Sequence, residues 1–505
     1  MNPTQTLIQN GHLLTMDDRL GEMLNTDVLI EDGIIVKIAT DIDAPNAQVI
    51  DASEHIVLPG FVDAHRHMWQ TQMRGRMGDG TLLDYAAEIR NVFSCCYDPD
   101  DVYVGTLMGY LDALNAGCTT LIDHSHIMKS MEHSDAAINA FKDSGARGIF
   151  CYGLYPNPEE NVKDSLERLL NPPGFIAQNA KIVRERHFNE ENGHIRFGIA
   201  LTELEWFPIE HTIKELEFAR ELNSYKISIH AGLGSSSHYT KFVERLHKEK
   251  QLSHDMHFVH GWGLTDHELK LIVEQGASLV ATPETELQMA MGFPVTGRFS
   301  QQGGKAGLGI DIVSNQSADM FTQMRLALQC VRGQANEALA KKGLSPEKLT
   351  MTTEDVLKSA TIDGAKSLKL EHEIGSLTVG KRADIQLISK TDINMVPVTN
   401  AIHSVVLCAG VNNIDTVMVN GEIIKRNGVL CREDLKGLTK RLTKSSEKIH
   451  LQAATFDMEK LRKELGKVFP LTKRTSMEQK LGAMIFNSKF KAAQRVLLKY
   501  ILNRE

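Results

Sequence analysis

The chain has 505 residues, of which 42% are hydrophobic and 24% are charged, as in ordinary globular proteins. Its formal net charge of −8 argues against a general nucleic-acid binder. No run approaches the roughly 18 consecutive apolar residues of a membrane-spanning helix, and the N-terminus lacks the regions of a secretory signal. The seven cysteines are scattered without a CxxC pair. We therefore expect reduced thiols and a cytoplasmic protein that binds neither nucleic acid nor membrane.

Strand-like and helical segments follow one another in a clear order. Residues 1–58 are short β-branched runs separated by Asn-Gly and Asp-Gly turn signals, which predicts strands. Residues 59–372 alternate apolar strands with helical stretches eight times, the pattern of a parallel (β/α)₈ barrel of the TIM type. Strand-like runs return over residues 373–431. We therefore predict an α/β protein in which a small β-domain, built from both chain ends, flanks a barrel.

The last part of the chain, residues 432–505, is Lys-rich and helical in pattern. Its apolar positions, such as Leu481, Met484 and Phe490, are typical of an amphipathic helix face. We predict a helical C-terminal extension that docks on the barrel or on a neighbouring subunit.

The first barrel strand ends in the sequence Asp63-Ala64-His65-Arg66-His67. Because alternate side chains of a strand share a face, His65 and His67 point the same way, together with Asp63. Two imidazoles side by side at the end of an inward-facing strand can chelate one ion. We therefore predict that this pair supplies the first two metal ligands.

Later strands end in the same manner. His230 closes the strand in YKISIHAG, His260 closes that in MHFVHGW, and Asp311 follows the short strand in GLGIDIV. Barrel enzymes assemble their active sites from the C-terminal ends of several strands. Three imidazoles and one carboxylate suit zinc with an open position for water, although Fe²⁺ or Mn²⁺ accept the same ligand types.

These motifs resemble the amidohydrolase superfamily, and in particular its branch of aminohydrolases and chlorohydrolases of N-heterocycles, which includes cytosine deaminase-like enzymes. The resemblance spans roughly residues 5–430, through LPGFVDAHRHMWQTQMRG, LGIDIVS, ATIDGAKSL and GSLTVGKRADIQLI. It implies that one divalent ion, Zn²⁺ before Fe²⁺ or Mn²⁺, is held by four ligands: His65, His67, His230 and Asp311. Superfamily members with two metals bridge them with a lysine from the fourth strand. HIRFGIALTELEW has no lysine, which favours a single ion.

The resemblance also implies a mechanism. The metal would lower the pKa of its bound water toward neutrality. Asp311 would take the proton as the water attacks an sp² carbon, and His260 would stabilise the oxygen that develops negative charge. His124 or His126, at the end of the second strand, would help to fix imidazole tautomers.

The substrate pocket is predicted from residues close to these strand ends. Three of them follow the HxH strand and are the predicted substrate contacts: Trp69, Gln70 and Arg74. The predicted apolar and aromatic walls are Met68, Trp69, Trp206, Trp262, Met289 and Met291. The substrate is thus expected to be a small molecule.

The sequence departs from the resembling branch at one point. Those deaminases and chlorohydrolases carry a glutamate either three residues after the fifth-strand histidine or two before it, and this glutamate protonates a ring nitrogen. Here the two positions are Leu233 and Ser228, while Glu284 and Glu286 after the seventh strand are candidate replacements. We therefore expect metal-activated water to attack a carbonyl or amidine carbon, at a carbon–nitrogen bond of a small cyclic or aromatic molecule.

Three alternative functions stay open from the sequence. The first is an N-heterocycle deaminase or dechlorinase with a relocated proton donor such as Glu284. The second is a non-hydrolytic metal-dependent decarboxylase or lyase. The third is a catalytically dead binding protein, which predicts an incomplete ligand set. A homo-oligomer, either a dimer or a tetramer, is expected from the resembling family and from the basic C-terminal helices.

Overall fold

The computed structural model describes residues 5–157, 174–189, 193–202, 205 and 208–466, apart from the side chains of residues 235 and 236. The predicted apolar face around Phe490 and the predicted pocket residue Trp206 lie outside these residues.

The strands form two separate sheets. The N-terminal strands are β1 Gln5–Leu14, β2 Glu22–Glu31, β3 Ile34–Ala39, β4 Gln48–Asp51 and β5 His55–Pro59. The middle strands are β6 Phe61–Arg66, β7 Cys118–Ser125, β8 Arg147–Gly153, β9 Ile195–Ala200, β10 Ile227–Ala231, β11 Met256–His260, β12 Ser278–Ala281 and β13 Gly307–Leu308. The C-terminal strands are β14 Ile385–Ser389, β15 Ile414–Val419, β16 Glu422–Arg426 and β17 Val429–Leu430.

The eight middle strands pair in sequence order, from β6 to β13, and each of these pairings is parallel. A parallel bridge between Arg66 and Asp311 joins the two ends of this sheet. Every residue of β7 and β8 is buried, as expected for strands that are covered on both faces. The predicted barrel with eight strand–helix alternations is therefore confirmed.

The helices lie between and after these strands. Those up to the last barrel strand are Leu82–Tyr85, Pro99–Asn115, Met131–Ser144, Gly174–His187, Ile209–Glu221, Phe242–Lys248, Asp266–Glu274, Pro283–Gln288 and Thr296–Gln301. Those that follow are Met320–Ala340, Thr353–Ser359, Ile362–Ser367, Ala401–Leu407, Leu435–Ala453 and Met458–Gly466. None of the described helices is long and apolar enough to cross a membrane.

The second sheet combines both chain ends, in the order β17-β16-β15-β14-β5-β1-β2-β3 with β4 beside β1. The β-domain predicted from the two terminal segments is therefore confirmed. The chain passes from this sheet to the barrel at Gly60, where a Cβ atom would lie 2.2 Å from Oγ1 of Thr119. Only glycine fits at this close approach.

A buried ion pair fastens the β-domain to the barrel. Arg147 begins β8 and Asp384 precedes β14, and their side chains are only 4% and 2% exposed. Arg147 Nε donates to Asp384 Oδ2 at 2.9 Å and its second nitrogen donates to Oδ1 at 3.2 Å. The Asn420 N–H also donates to Asp384 Oδ1, at 2.8 Å. One carboxylate thus joins a barrel strand to two segments of the β-domain.

The described part of the C-terminal extension packs on the barrel side of the molecule. Lys448 Nζ lies 2.6 Å from Asp98 Oδ2, and Ser445 Oγ donates to Asp101 Oδ1 at 2.7 Å. Asp98 caps the helix Pro99–Asn115, and Asp101 lies in its first turn. The helix Leu435–Ala453 is therefore fixed across the N-terminus of a barrel helix, whereas the docking face predicted around Leu481 lies outside the described residues.

We expect Asp384→Ala to lower the free energy of unfolding by about 3–5 kcal/mol, because it leaves the buried Arg147 guanidinium with only the more distant carboxylate of Glu373, at 3.9 Å, as a counter-charge. Urea unfolding followed by circular dichroism measures this change. Asp434→Ala, which breaks an exposed pair with Arg432, is the matched control and should cost less than about 1 kcal/mol. Equal losses in the two variants would contradict the structural role of Asp384.

Candidate metal centre and active site

Four predicted ligands meet at the C-terminal end of the barrel. His65 lies on β6, His67 directly follows it, His230 lies on β10, and Asp311 comes three residues after β13. One donor atom from each lies within 4.8 Å of the donors of all the others. The Nε2 atoms of His65 and His230 are 3.1 Å apart, and Oδ1 of Asp311 lies 3.4 and 3.3 Å from Nε2 of His65 and His67.

This spacing fits a metal ion. A tetrahedral zinc ion with bonds of about 2.0–2.1 Å holds its ligand atoms roughly 3.3 Å apart. Burial lowers the pKa of His65 and of His230 well below the ordinary value, which keeps their nitrogen lone pairs available. Burial alone would raise the pKa of Asp311, but hydrogen bonds with His65 and His67 hold it well below the usual range. Neutral imidazoles and an ionised carboxylate are the states that a divalent cation requires.

Backbone contacts bring these donors together at the barrel seam, which is the place where the segment after β13 meets the end of β6. The His67 N–H donates to the Asp311 carbonyl, and the Asp311 N–H donates to the His65 carbonyl, each at 2.8 Å. Asp311 and His260 adopt positive φ angles of 69° and 76°, which are uncommon for residues other than glycine. Strained backbone of this kind clusters at active sites, where the surrounding structure holds it in place.

His260 lies beside the four donors and is held from behind. Its ring stacks on that of His230, with centroids 5.3 Å apart, and its Nδ1 lies 3.0 Å from Oγ1 of Thr282 and 3.5 Å from Oε1 of Glu286. Thr282 donates both its N–H and its hydroxyl to that Glu286 oxygen, at 2.9 and 3.4 Å. Because the hydroxyl proton is used there, the Thr282 oxygen accepts from Nδ1–H of His260. Nε2 of His260 is thereby directed to the site.

The structure separates the two glutamates that the sequence left equivalent. Glu286 is 1% exposed, and burial raises its pKa. Glu284 instead accepts from the Gln323 side chain at 3.0 Å, and burial together with nearby Asp319 raises its pKa to about 7. Glu286 therefore contacts the predicted catalytic histidine, whereas Glu284 contacts the helix Met320–Ala340.

The predicted substrate contacts lie in three different surroundings. Gln70 is fully buried, its Nε2 donates to the Tyr85 hydroxyl at 2.7 Å, and its Oε1 is buried without a hydrogen-bond partner among the described residues. Trp69 is also fully buried, and its indole N–H donates to Nδ1 of His126 at 3.0 Å. Arg74 is exposed and pairs with Asp112 at 3.2 Å, so the structure does not bring it into the cluster.

The two histidines of the second strand both approach the metal ligands. The His124 carbonyl accepts from Nδ1 of His67 at 2.7 Å, which leaves Nε2 of His67 for the ion, while the His124 ring contacts that of His230. The ring of His126 stacks on that of His67, with centroids 4.1 Å apart. The sequence predicted that one of the two helps to fix imidazole tautomers, and the structure places both of them against metal ligands.

An apolar wall occupies one place where the resembling enzymes carry their acid. Leu233 packs in a cluster whose buried members are Met289, Met291 and Ile312, with Tyr85 at its edge. Trp262, which was also predicted to line the pocket, contacts Phe293 instead, with ring centroids 5.5 Å apart. At the second place, Ser228 Oγ lies 3.0 Å from Nδ1 of His124. Neither position offers an acid.

A bridging lysine for a second ion is absent from the described cluster. Lys226, four residues before His230, directs its Nζ to Ser278 Oγ at 3.1 Å. Burial lowers its pKa to about 7. Its partner Ser278 begins β12 and also contacts Nδ1 of His257 at 2.8 Å. Lys226 therefore lies deeper in the barrel, as its position in the strand predicted.

Proteins of known activity are similar to this chain over most of its length. It is 26% identical to the 5-methylthioadenosine/S-adenosylhomocysteine deaminase of Thermoanaerobacter pseudethanolicus, over 88% of this chain and 99% of that protein. It is 27% identical to the 5′-deoxyadenosine deaminase of Methanobrevibacter smithii, over 84% of this chain and 93% of that protein. The named substrates of these relatives are small molecules.

Solved structures share the fold. A zinc-bound adenosine deaminase from Xanthomonas campestris superposes with a TM-score of 0.76 at 20% identity, over 89% of this chain and 99% of that one. The zinc complex of atrazine chlorohydrolase from Arthrobacter aurescens gives a TM-score of 0.75 at 20% identity, over 87% of this chain and 100% of that one.

The family description completes the comparison. The model of the amidohydrolase family matches residues 56–424, which include all four clustered donors. The chain therefore belongs to the amidohydrolase family, and it is a metal-dependent hydrolase that acts on carbon–nitrogen bonds other than peptide bonds.

Proposed function

We propose that the protein is a mononuclear zinc hydrolase that removes the exocyclic amino group of an N-heterocycle. The observation that carries the proposal is the set of three imidazole Nε2 atoms and one carboxylate oxygen at the end of the barrel. When bound there, zinc supplies Lewis acidity that activates a water molecule. In the net reaction, water adds to the amidine carbon, the bond to the exocyclic nitrogen breaks, and ammonia leaves.

Asp311 carries the proton between water and the leaving group. Its Oδ1 faces the nitrogens of His65 and His67, and its second carboxylate oxygen is Oδ2. That second oxygen takes the proton of the attacking water and returns it to the departing nitrogen. Mutual contact with two ring nitrogens keeps the carboxylate in position for both steps.

His260 takes over the role of the missing glutamate. Its Nδ1–H donates to Thr282, so Nε2 is the nitrogen that faces the site, and in the protonated ring this nitrogen donates to a ring nitrogen or to developing negative charge. The Glu286 carboxylate, 3.5 Å from Nδ1, favours the protonated ring electrostatically. This arrangement replaces the glutamate that the resembling deaminases carry at position 233 or 228.

The choice of an N-heterocyclic amine rests on the deaminases among the relatives. A second candidate is a cyclic amide, which is favoured by Leu233 and Ser228. Attack at a carbonyl carbon requires no acid for a ring nitrogen, so Asp311 alone would suffice. The two candidates differ in their product, because a cyclic amide opens without releasing ammonia.

Zinc is the proposed ion because it occupies the related structures. All seven cysteines are free thiols, which fits the reducing cytoplasm as the proposed location. The proposed small-molecule enzyme is also expected to be a homo-oligomer. Chromatography with light-scattering detection measures that state directly.

We expect the purified protein to contain close to one zinc ion per chain. His230→Ala should lose most of this zinc, because the variant keeps only three of the four protein ligands. Elemental analysis after growth with zinc measures the content. His372→Ala, at a histidine whose side chain is 89% exposed, is the control and should retain the metal. Two ions per chain would contradict the single-ion site.

We expect the zinc-loaded protein to release ammonia from at least one member of a panel of adenosine, 5′-deoxyadenosine and aminotriazines. Asp311→Asn should lower that turnover by at least about 10³-fold, because an amide cannot accept the proton of water. Coupled ammonia detection measures both, with Asp434→Asn as the control. Ring opening of cyclic amides without ammonia from any amine would refute deamination and favour the second candidate.

We expect Glu286→Gln to lower turnover at least about tenfold, because a neutral amide no longer stabilises the charged form of His260. Glu284→Gln should change turnover less than about threefold, since Glu284 contacts Gln323 instead. The matched pair is compared by kcat and by its pH profile. A larger loss in Glu284→Gln would mean that the relocated acid is Glu284.

A further inference from the structure

The imidazole of His126 lies against the metal centre but does not take part in it. It stacks on the ring of His67, with centroids 4.1 Å apart and planes 13° apart, and the residue is 2% exposed. Among the described residues, the donor cluster comprises only His65, His67, His230 and Asp311. His126 is therefore a buried polar ring at the site with no role in the chemistry described above.

Trp69 determines which nitrogen of this imidazole carries the proton. The indole Nε1–H can only donate a hydrogen bond, and it donates to Nδ1 of His126 at 3.0 Å. Nδ1 therefore carries a lone pair, and the proton of the imidazole resides on Nε2. A neutral ring also suits its surroundings, since a cation here would stack on a ligand of a divalent ion.

The pair is held rigidly on its other sides. Tyr97 packs edge-on against Trp69, with centroids 5.0 Å apart, and its hydroxyl donates to Gln72 Oε1 at 3.0 Å. Arg90 donates to the His126 carbonyl at 3.2 Å. The imidazole can therefore neither rotate nor retreat without breaking several contacts, which is the property of a preorganised binding group.

The one remaining polar atom of the ring has no protein partner. Nε2 of His126 donates to no residue in the described part of the chain. Polar atoms of buried side chains are nearly always hydrogen-bonded, and those that are not mark a place for water or a ligand. Gln70, which follows Trp69 in the short helix Met68–Met73, has a buried amide oxygen without a partner among the described residues.

We propose that Nε2–H of His126 donates a hydrogen bond to an sp² acceptor of the bound substrate, and that Trp69 is the positioning residue that keeps this donor in place. The acceptor is a ring nitrogen other than the one next to the reacting carbon. The inference rests on the proposed function, because it assumes that an N-heterocycle occupies the site. It makes His126 a determinant of which heterocycles the enzyme accepts.

The test uses the zinc-loaded enzyme with adenosine and its 3-deaza and 7-deaza analogues, each of which replaces one acceptor nitrogen by a C–H group. We expect one of the two analogues to lower kcat/KM about 10- to 100-fold with the unmodified enzyme. His126→Leu should lower kcat/KM for adenosine by a similar factor. With this variant, replacing adenosine by the same analogue should lower kcat/KM by less than about threefold, because the hydrogen bond is already absent. Independent, multiplicative losses would overturn the proposal.

A conservative variant separates hydrogen bonding from packing. His126→Gln places an amide N–H near the position of Nε2, so it should retain kcat/KM within about fivefold of the unmodified enzyme, whereas His126→Leu should not. Trp69→Phe keeps an aromatic ring without the N–H and should fall between them. Equal activity of the leucine and glutamine variants, at equal zinc content and melting temperature, would also overturn the proposal.

The tautomer is measured without any substrate. Nitrogen-15 NMR of the histidine-labelled enzyme should show His126 protonated at Nε2, and Trp69→Phe should shift that signal toward the other tautomer. A proton on Nδ1 in the unmodified enzyme would refute the assignment. Failure of the unmodified enzyme to deaminate any amine would count against the proposed function, and the NMR signal would still decide the state of His126.

Discussion

The seam that closes the barrel is the contact on which the active site depends. His65 and Asp311 lie far apart in the chain, and reciprocal backbone hydrogen bonds of 2.8 Å between the segment His65–His67 and Asp311 bring them together. Asp63 strengthens the seam, since its Oδ1 accepts the Ile310 N–H at 2.9 Å. The strained backbone of Asp311 is tolerated because these contacts determine its conformation from both sides. Barrel closure and assembly of the metal ligands are thus one event.

Three imidazoles around the centre each have one nitrogen engaged by a neighbouring residue, which leaves the other nitrogen for the ion or the substrate. His67 gives its Nδ1 to a carbonyl, His260 gives its Nδ1 to Thr282, and His126 receives the indole N–H of Trp69. These contacts favour one orientation and one tautomer of each ring in the folded protein, whereas both tautomers are mixed in water. The direction of each donor and acceptor is therefore determined before a substrate enters, which lowers the reorganisation that binding requires.

The sequence predicted the barrel and the donors because both depend on local patterns. Each strand is a short apolar run that ends in a polar residue, and parallel strands in a barrel bring such ends together whatever the loops do. This pattern singled out His65, His67, His230, His260 and Asp311, and the resemblance to the amidohydrolase superfamily indicated which four of them are the ligands. The surroundings of these donors depend on how loops fold over the barrel, and loop geometry has no comparable periodicity. For that reason Glu284 and Glu286 were indistinguishable, and Arg74 turned out to pair with Asp112 at the surface.

The C-terminal extension supports the segment that follows β6 and carries Trp69 and Gln70. The segment after β6 contains only short helical pieces, among them Met68–Met73 and Leu82–Tyr85, so it has few backbone hydrogen bonds of its own to hold Trp69 and Gln70. Gln72 supplies the missing support. Its side-chain Nε2 donates to the Asp101 backbone carbonyl at 2.7 Å and to Ser445 Oγ at 3.0 Å. Its backbone carbonyl accepts from Ser446 Oγ at 2.7 Å.

Two of these three contacts come from the extension helix Leu435–Ala453, which lies far from the metal ligands in the sequence. The third comes from the helix Pro99–Asn115, where Gly105 leaves room for the Gln72 side chain, since a Cβ atom there would lie 2.1 Å from Oε1. Tyr97, which packs on Trp69, also donates to that oxygen. The position of the residues above the metal is consequently set by the extension as well as by the barrel. The extension thus supports the segment that carries the predicted substrate contacts Trp69 and Gln70.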